Sequence, residues 1–258
     1  MFFRSFLQLR KLERGRSKAC KGFFNLDVPD RNLRNLWDTA RGKLAVKALR
    51  QQVRMVVFDL DGTLTVVDSP WRCLHEALGT WSQGKTVAQR YLEGEISYKE
   101  WAETDVRFWA GAPLLKVKSI LDGIPYRQGA EEVFRRLKER GVKIVILSAG
   151  LSILAERAAR ELGADLVIAN ELRTDDGRLT GEIQVRVGLD DKDKLVRQIA
   201  STFNIPLREV ALVGDRGPDL ANEECVKIAF MPKDDAARRE ADFIVENDDL
   251  RAILQYLS

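Results

Sequence analysis

The chain has 258 residues, 45% hydrophobic and 31% charged, with a formal net charge of +3; that is enough to bury a full core and carry one main domain plus an insertion or appendage. No apolar stretch approaches the ~20 residues of a membrane span, and the opening Met1-Phe2-Phe3-Arg4-Ser5-Phe6-Leu7 meets charge before it could act as a secretory leader, so a cytoplasmic protein is expected. Cys20, Cys73 and Cys225 are too few and too scattered for a disulfide framework or a structural zinc clip, and a single histidine, His75, excludes Ser-His-Asp and multi-histidine metal mechanisms.

Residues 1 to 52 form a basic N-terminal extension. Residues 1 to 50 alone hold 13 Lys/Arg against 4 Asp/Glu, net +9, and the remaining 208 residues are net −6. Leucines at 7, 9, 12, 33, 36, 44 and 49 fit weakly amphipathic helices around Asp27-Val28-Pro29-Asp30. Three readings stay open: an arm for nucleic acid or another polyanion, a helical appendage packed on the core or a partner, and an over-long start ahead of Met55. No nucleic-acid-binding fold is recognisable in it, so a nucleic-acid partner is not expected.

From Val53 the texture changes to apolar runs alternating with helical periods, which predicts an α/β fold with a parallel sheet. The candidate strands are 55–58, 142–147, 166–169, 210–213, 226–230 and 243–245. Helices are expected at 130–140, 151–162, 191–203, 218–224 and 248–257. Gly141 is a helix stop, and Asp176-Gly177 marks a small hairpin. The interval from about Val67 to Tyr126 is helical and holds Trp71, Trp81, Trp101 and Trp109. A β-to-α connection takes only ~2–6 residues, so this is an inserted helical subdomain over 67–126, splitting a core of 53–66 and 127–258. It follows the C-terminal end of the first strand, where open α/β sheets bind ligands, and is placed to be a lid. Its tryptophans are expected mainly in its own core, and His75 on a solvated or half-buried helix face.

The chemistry collects at strand ends. Met55-Val56-Val57-Phe58 runs into Asp59-Leu60-Asp61-Gly62-Thr63, placing two carboxylates one residue apart before a sharp turn, which suits a nucleophile and a proton carrier. Ile144-Val145-Ile146-Leu147 runs into Ser148-Ala149-Gly150, a hydroxyl and small residues opening a helix whose amides favour an anion. Val210-Ala211-Leu212-Val213 runs into Gly214-Asp215-Arg216-Gly217-Pro218-Asp219, two acids on a loop suited to a hard divalent cation. Lys192 stands 23 residues before Asp215, with Lys194 as its rival.

In these four motifs, in order, the chain resembles the haloacid dehalogenase superfamily, specifically its phosphoserine-phosphatase-like branch with a helical cap. The resemblance spans about Val53 to Ser258. It implies a Rossmann-like sheet with a squiggle and flap after strand one, Leu64 to Val67 occupying the flap. It implies Asp59 as the nucleophile that forms an aspartyl-phosphate, Asp61 as general acid and base, Ser148 as a hydrogen-bond donor to a transferring oxygen, and Lys192 as the balancing cation. Gly62, Thr63, Ala149 and Gly150 would border the phosphate. Mg²⁺ would be held by the Asp59 carboxylate, the Asp61 carbonyl and Asp215, with Asp219 as ligand or as orienter of a bound water.

The expected activity is hydrolysis of a small phosphorylated metabolite, with phosphoserine hydrolysis proper or phosphotransfer at the same site as alternatives, and nucleic-acid binding through residues 1 to 50 as the outside reading. The departures fall where phosphoserine phosphatases hold the amino acid. Their cap glutamate aligns with Asp68; their cap arginine aligns near Glu103, leaving Arg107 as the substitute; their motif-four asparagine is Pro218, and the Gly after the serine is Ala149.

Overall fold

The computed structural model describes residues 53–257. The expectations for the basic extension, 1–52, lie outside the described residues. β1 (Met55–Phe58) is buried on both faces, as its unbroken apolar run requires of a central parallel strand. It is followed by a tight turn over Leu60–Leu64 and then by four helices, α1 (Pro70–Leu78), α2 (Trp81–Leu92), α3 (Tyr98–Arg107) and α4 (Leu114–Asp122). The chain returns through α5 (Ala130–Glu139), β2 (Lys143–Leu151), α6 (Ser152–Ala158), β3 (Leu166–Asp175) and β4 (Arg178–Gln184). It ends with α7 (Lys192–Thr202), β5 (Val210–Gly214), β6 (Val226–Phe230), α8 (Asp235–Glu240), β7 (Phe243–Val245) and α9 (Leu254–Leu257).

The seven strands form one sheet in the order β4-β3-β2-β1-β5-β6-β7, parallel except for the β3–β4 hairpin. Apolar clusters cover both faces: Phe58, Phe134, Ile146 and Val213 belong to one, and Val57, Val145, Val196 and Leu212 to the other. α5 shows how a helix is recruited. Ala130, Val133, Phe134 and Leu137 recur at helical spacing and are buried, and Phe134 stacks on Phe58 at 5.1 Å. Burying such a phenylalanine contributes about 1.5–3 kcal/mol. The helix closes where expected, with the Val142 amide donating to the Leu137 carbonyl and Gly141 to Lys138.

Several expected boundaries are corrected. β2 runs on through Ser148-Ala149-Gly150 to Leu151, past the expected end at 147, so the serine is carried by the strand and the helix opens at Ser152, one residue later than expected. Segment 218–224 is only a single 3-10 turn over Gly217–Leu220, because Asp219 is held into the loop rather than released to a helix. The expected 248–257 helix is a 3-10 turn (Leu250–Ile253) followed by α9, and α8 was not expected at all. The flap makes no hairpin of its own: Thr65 pairs instead with Tyr126, and the Val66 and Arg127 amides donate to Pro125 and Leu64. The outgoing and returning chains are thus zipped together at the base of the helical insertion.

The insertion is also tied down elsewhere. Arg157 of α6, nearly buried, donates to the Leu121 and Ile124 carbonyls at the C-terminal end of α4. The turn after α3 pairs with the β3–β4 hairpin through Gly111 to Leu179, Leu114 to Gly177 and Leu179 to Ala112. His75, expected to be solvated or half-buried, is buried: Asp105 lies 3.2 Å from Nε2, Thr80 sits at 2.8 Å from Nδ1, and the Trp109 indole donates to Nδ1. Gly84 makes room for this ring, since a Cβ there would meet it at 2.6 Å. No helix among the described residues is long and apolar enough to cross a membrane.

Candidate active site

Parallel pairing brings the motifs together. Phe58 is in register with Ile146 on one side and Val213 on the other, so the residues just beyond, Asp59, Ser148 and Asp215, emerge at one edge of the sheet. The Asp59 amide donates to the Val213 carbonyl, fixing the first strand end against the motif-four loop. In the turn after Asp59, Gly62 has φ +88° and lies against Asp215; a Cβ there would meet Asp215 Oδ2 at 2.5 Å. That position needs glycine both for its backbone and for its lack of a side chain. Arg127 secures the turn by donating to the Gly62 carbonyl at 3.0 Å.

Lys192, at the start of α7 and nearly buried, reaches across with Nζ 2.7 Å from Asp59 Oδ1 and 2.5 Å from Asp219 Oδ1. Asp219 uses its other oxygen to accept from the Arg216 amide at 2.9 Å. Carboxylate oxygens of Asp59, Asp215 and Asp219 lie within 4.8 Å of one another. Asp215 Oδ2 and Asp61 Oδ1 are buried with no partner among the described residues. Ser148 is buried, and its Oγ accepts from the Gly150 amide at 2.9 Å. Gly150 abuts Asp61, where a Cβ would lie 2.2 Å from Oδ2.

The charges follow from this crowding. Burial, with Asp219 beside it, raises the Asp59 carboxyl from 3.8 to about 6 although Lys192 opposes the shift. Burial and then the Asp59 charge hold Asp61 well above the ordinary carboxylate range. Burial, then Asp59 and Asp219, push Asp215 to about 8. Burial works against the Lys192 ammonium, but Asp219 and Asp59 more than reverse it, so the lysine stays charged. An acidic site of this kind, with two orphaned carboxylate oxygens and donors that are all oxygen, fits a hard divalent cation.

A cleft of about 300 Å³ opens from these residues toward the helical insertion. Asp59, Asp61, Ser148, Ala149, Gly150, Lys192, Asp215 and Asp219 line its floor, as the sequence predicts. Asp68 lies on its rim, half-exposed and 3.8 Å from Lys233. Three expectations are corrected. Thr63 is fully buried beneath the turn and does not line the cleft, and Gly62 shapes the turn rather than lining the cleft. Arg107 is exposed at the far end of α3, with its backbone against Gly181 of β4, and does not line the cleft. Lys194, the alternative lysine, points to the surface.

The upper wall is Trp71, Ala88, Tyr91, Leu92, Tyr98 and Trp101. The tryptophans therefore divide: Trp109 is buried in the insertion, as expected, whereas Trp71 and Trp101 face the cleft. Sequence reasoning also missed the junction of wall and floor. The Tyr98 hydroxyl donates to the Ala149 carbonyl and accepts from Asn170, and fully buried Asn170 donates to the Ala149 and Val187 carbonyls. Asn170 directly follows the expected strand 166–169, a strand-end signal that could have found it. Tyr98 carries no local signal.

A family model described as haloacid dehalogenase-like hydrolase matches residues 56–221. A phosphoserine phosphatase of Archaeoglobus fulgidus is 34% identical over 187 residues, 71% of this chain but only 54% of that protein, so the chain spans about half its length. One from Methanocaldococcus jannaschii is 29% identical over 212 residues, 81% of this chain and 100% of the relative. Among solved structures, a phospho-aspartyl intermediate analogue of phosphoserine phosphatase superposes with a TM-score of 0.71 at 28% identity, covering 80% of this chain and 100% of the other. A substrate-bound phosphoserine phosphatase complex gives the same TM-score and identity, covering 80% and 99%. With the sheet, the insertion and the four motif residues arranged as described, the chain belongs to the haloacid dehalogenase-like hydrolase family.

Proposed function

We propose that the protein is a Mg²⁺-dependent phosphatase that hydrolyses a small phosphomonoester through Asp59, with the helical insertion over 67–126 acting as its cap. The observation that carries this reading is the convergence of Asp59, Asp61, Ser148, Lys192 and Asp215 on one cleft floor. Asp59, anchored through Oδ1 by Lys192, directs its other oxygen to phosphorus. As that P–O bond forms, the ester P–O bond breaks and Asp61 delivers its proton to the departing alkoxide; burial and the Asp59 charge raise its pKa and so favour the protonated form. In the second half, Asp61 takes a proton from water as the water oxygen attacks phosphorus, inorganic phosphate leaves and the Asp59 carboxylate is regenerated. Ser148 Oγ–H and the Lys192 ammonium offset charge on the transferring oxygens.

Asp59, Asp215 and the Asp61 carbonyl would hold Mg²⁺. Asp219, with both oxygens engaged by Lys192 and Arg216, fits a place just outside. When bound, the ion supplies the positive charge without which an anionic ester would be repelled by four carboxylates. A cytoplasmic setting agrees with the free thiols of Cys73 and Cys225. The test is release of phosphate from an aryl phosphate with Mg²⁺, and acid-quench mass spectrometry for a phosphoryl group on Asp59. Asp59→Asn is expected to abolish both; undiminished turnover in that variant would refute the proposal.

A further inference from the structure

We propose that the alcohol half of the substrate is a compact, uncharged aromatic or apolar group and carries no carboxylate. The inference rests on the phosphatase reading above and concerns the cap side of the same cleft. Beyond Asp68 and Ser69 at the rim, the lining residues of the insertion, Trp71, Ala88, Tyr91, Leu92, Tyr98 and Trp101, are neutral, and most are aromatic. Tyr91 and Trp101 stack at 4.8 Å, Tyr98 meets Trp101 edge-on at 5.8 Å, and Trp71 lies 6.2 Å from Trp101. The rings thus brace one another as a rigid wall.

Among the described residues, no cation of the insertion lines that wall. Arg107 is on the outer face, and Glu103 is engaged by Lys99 at 3.7 Å. Lys192 is held by two carboxylates on the floor. A substrate carboxylate lodged against these rings would be desolvated with no counter-charge, which selects against it. An apolar body would bury its surface against the rings instead. The Trp101 indole N–H has no partner among the described residues, so a weak acceptor on that body would be welcome but a charge is not required. The cleft volume of about 300 Å³ limits the body to roughly one ring beside the phosphate. Arg216, on the floor side, makes no ion pair among the described residues and is the single rival anchor for a second anion.

The experiment compares kcat/KM for benzyl phosphate, O-phospho-L-serine and ethyl phosphate with saturating Mg²⁺. All three are alkyl esters, so leaving-group chemistry differs little. Benzyl phosphate is expected to exceed both others by about tenfold, the equivalent of one or two aromatic contacts. Trp101→Ala is expected to cost benzyl phosphate about tenfold more than it costs ethyl phosphate, with Trp101→Phe restoring most of the difference. A preference for phosphoserine in the unaltered protein overturns the proposal whatever the variants do; if that preference collapses in Arg216→Ala, the second anion belongs to Arg216. A preference for phosphocholine over its neutral isostere 3,3-dimethylbutyl phosphate also overturns it, by assigning the ring faces to a cation. Failure to release phosphate from any ester would instead refute the phosphatase reading, and this proposal with it.

Discussion

Replacing Lys192 by methionine removes the cation buried between Asp59 and Asp219 while keeping most of the side chain's volume. At 2.7 Å, with an effective dielectric of ~20, the attraction to Asp59 alone is about 6 kcal/mol, and that to Asp219 is similar. The cost of burying the ammonium offsets part of this, and a buried pair broken on one side typically loses about 3–5 kcal/mol. For a domain of this size that is about 10 °C in Tm. Catalysis should fall by about 10²–10³ in kcat, the effect of losing one preorganised charge at a transition state. Thermal melts of the metal-free protein, run beside steady-state hydrolysis of an aryl phosphate with Mg²⁺, separate the two effects. The Tm deficit should shrink as pH drops below about 6, where Asp59 takes up its proton and the ammonium loses a partner in the unaltered protein. A deficit constant from pH 5 to 8, or activity within tenfold of the unaltered protein, would refute the reasoning.

Asp61→Asn should leave Asp59 able to attack an aryl ester, giving a burst of phenol followed by turnover about 10²–10⁴-fold slower, visible by rapid quench. Gly150→Ala drives a methyl group to 2.2 Å from Asp61 Oδ2; we expect kcat to fall more than about tenfold while stability drops by no more than about 3 kcal/mol, read from kinetics and denaturant melts together. In chelator, Asp59 and Asp215 titrate in the fold at about 6 and about 8 against an ordinary 3.8. The folded state therefore binds protons that the unfolded chain has released, and stability should fall as pH rises from about 4 to about 8. Added Mg²⁺ should raise Tm strongly at pH 8 and weakly at pH 5; a flat profile without metal would contradict this.

The floor of the site was legible because Asp59, Ser148 and Asp215 follow apolar runs in which the type and direction of their strands are written, while Lys192, at the start of α7, was found by its spacing from Asp215. Parallel pairing then brings Asp59, Ser148 and Asp215 together without further information. Even there, the serine was placed at a helix mouth when β2 in fact carries it, since nothing local says that Ser148-Ala149-Gly150 stays extended beside β3. The cap was less legible. A helical period announces that α3 has an inner face but not whether Tyr98 and Trp101 or Arg107 will point at the substrate; that depends on how the turn after α3 grips the hairpin. His75 misled for a related reason: its surroundings come from Thr80, Gly84, Asp105 and Trp109, in and beside α2 and α3.

α2 stands apart from the rest of the helical insertion. Of its residues only Gly84 and Val87 are buried, whereas α4 is held by Arg157 and the end of α3 by the hairpin. Yet α2 supplies Ala88, Tyr91 and the largely exposed Leu92 to the mouth of the cleft. The mouth of the cleft is therefore bordered by a lightly buried helix. Adaptation to bulkier esters can proceed by trimming or shifting one helix, leaving the phosphate-handling floor untouched.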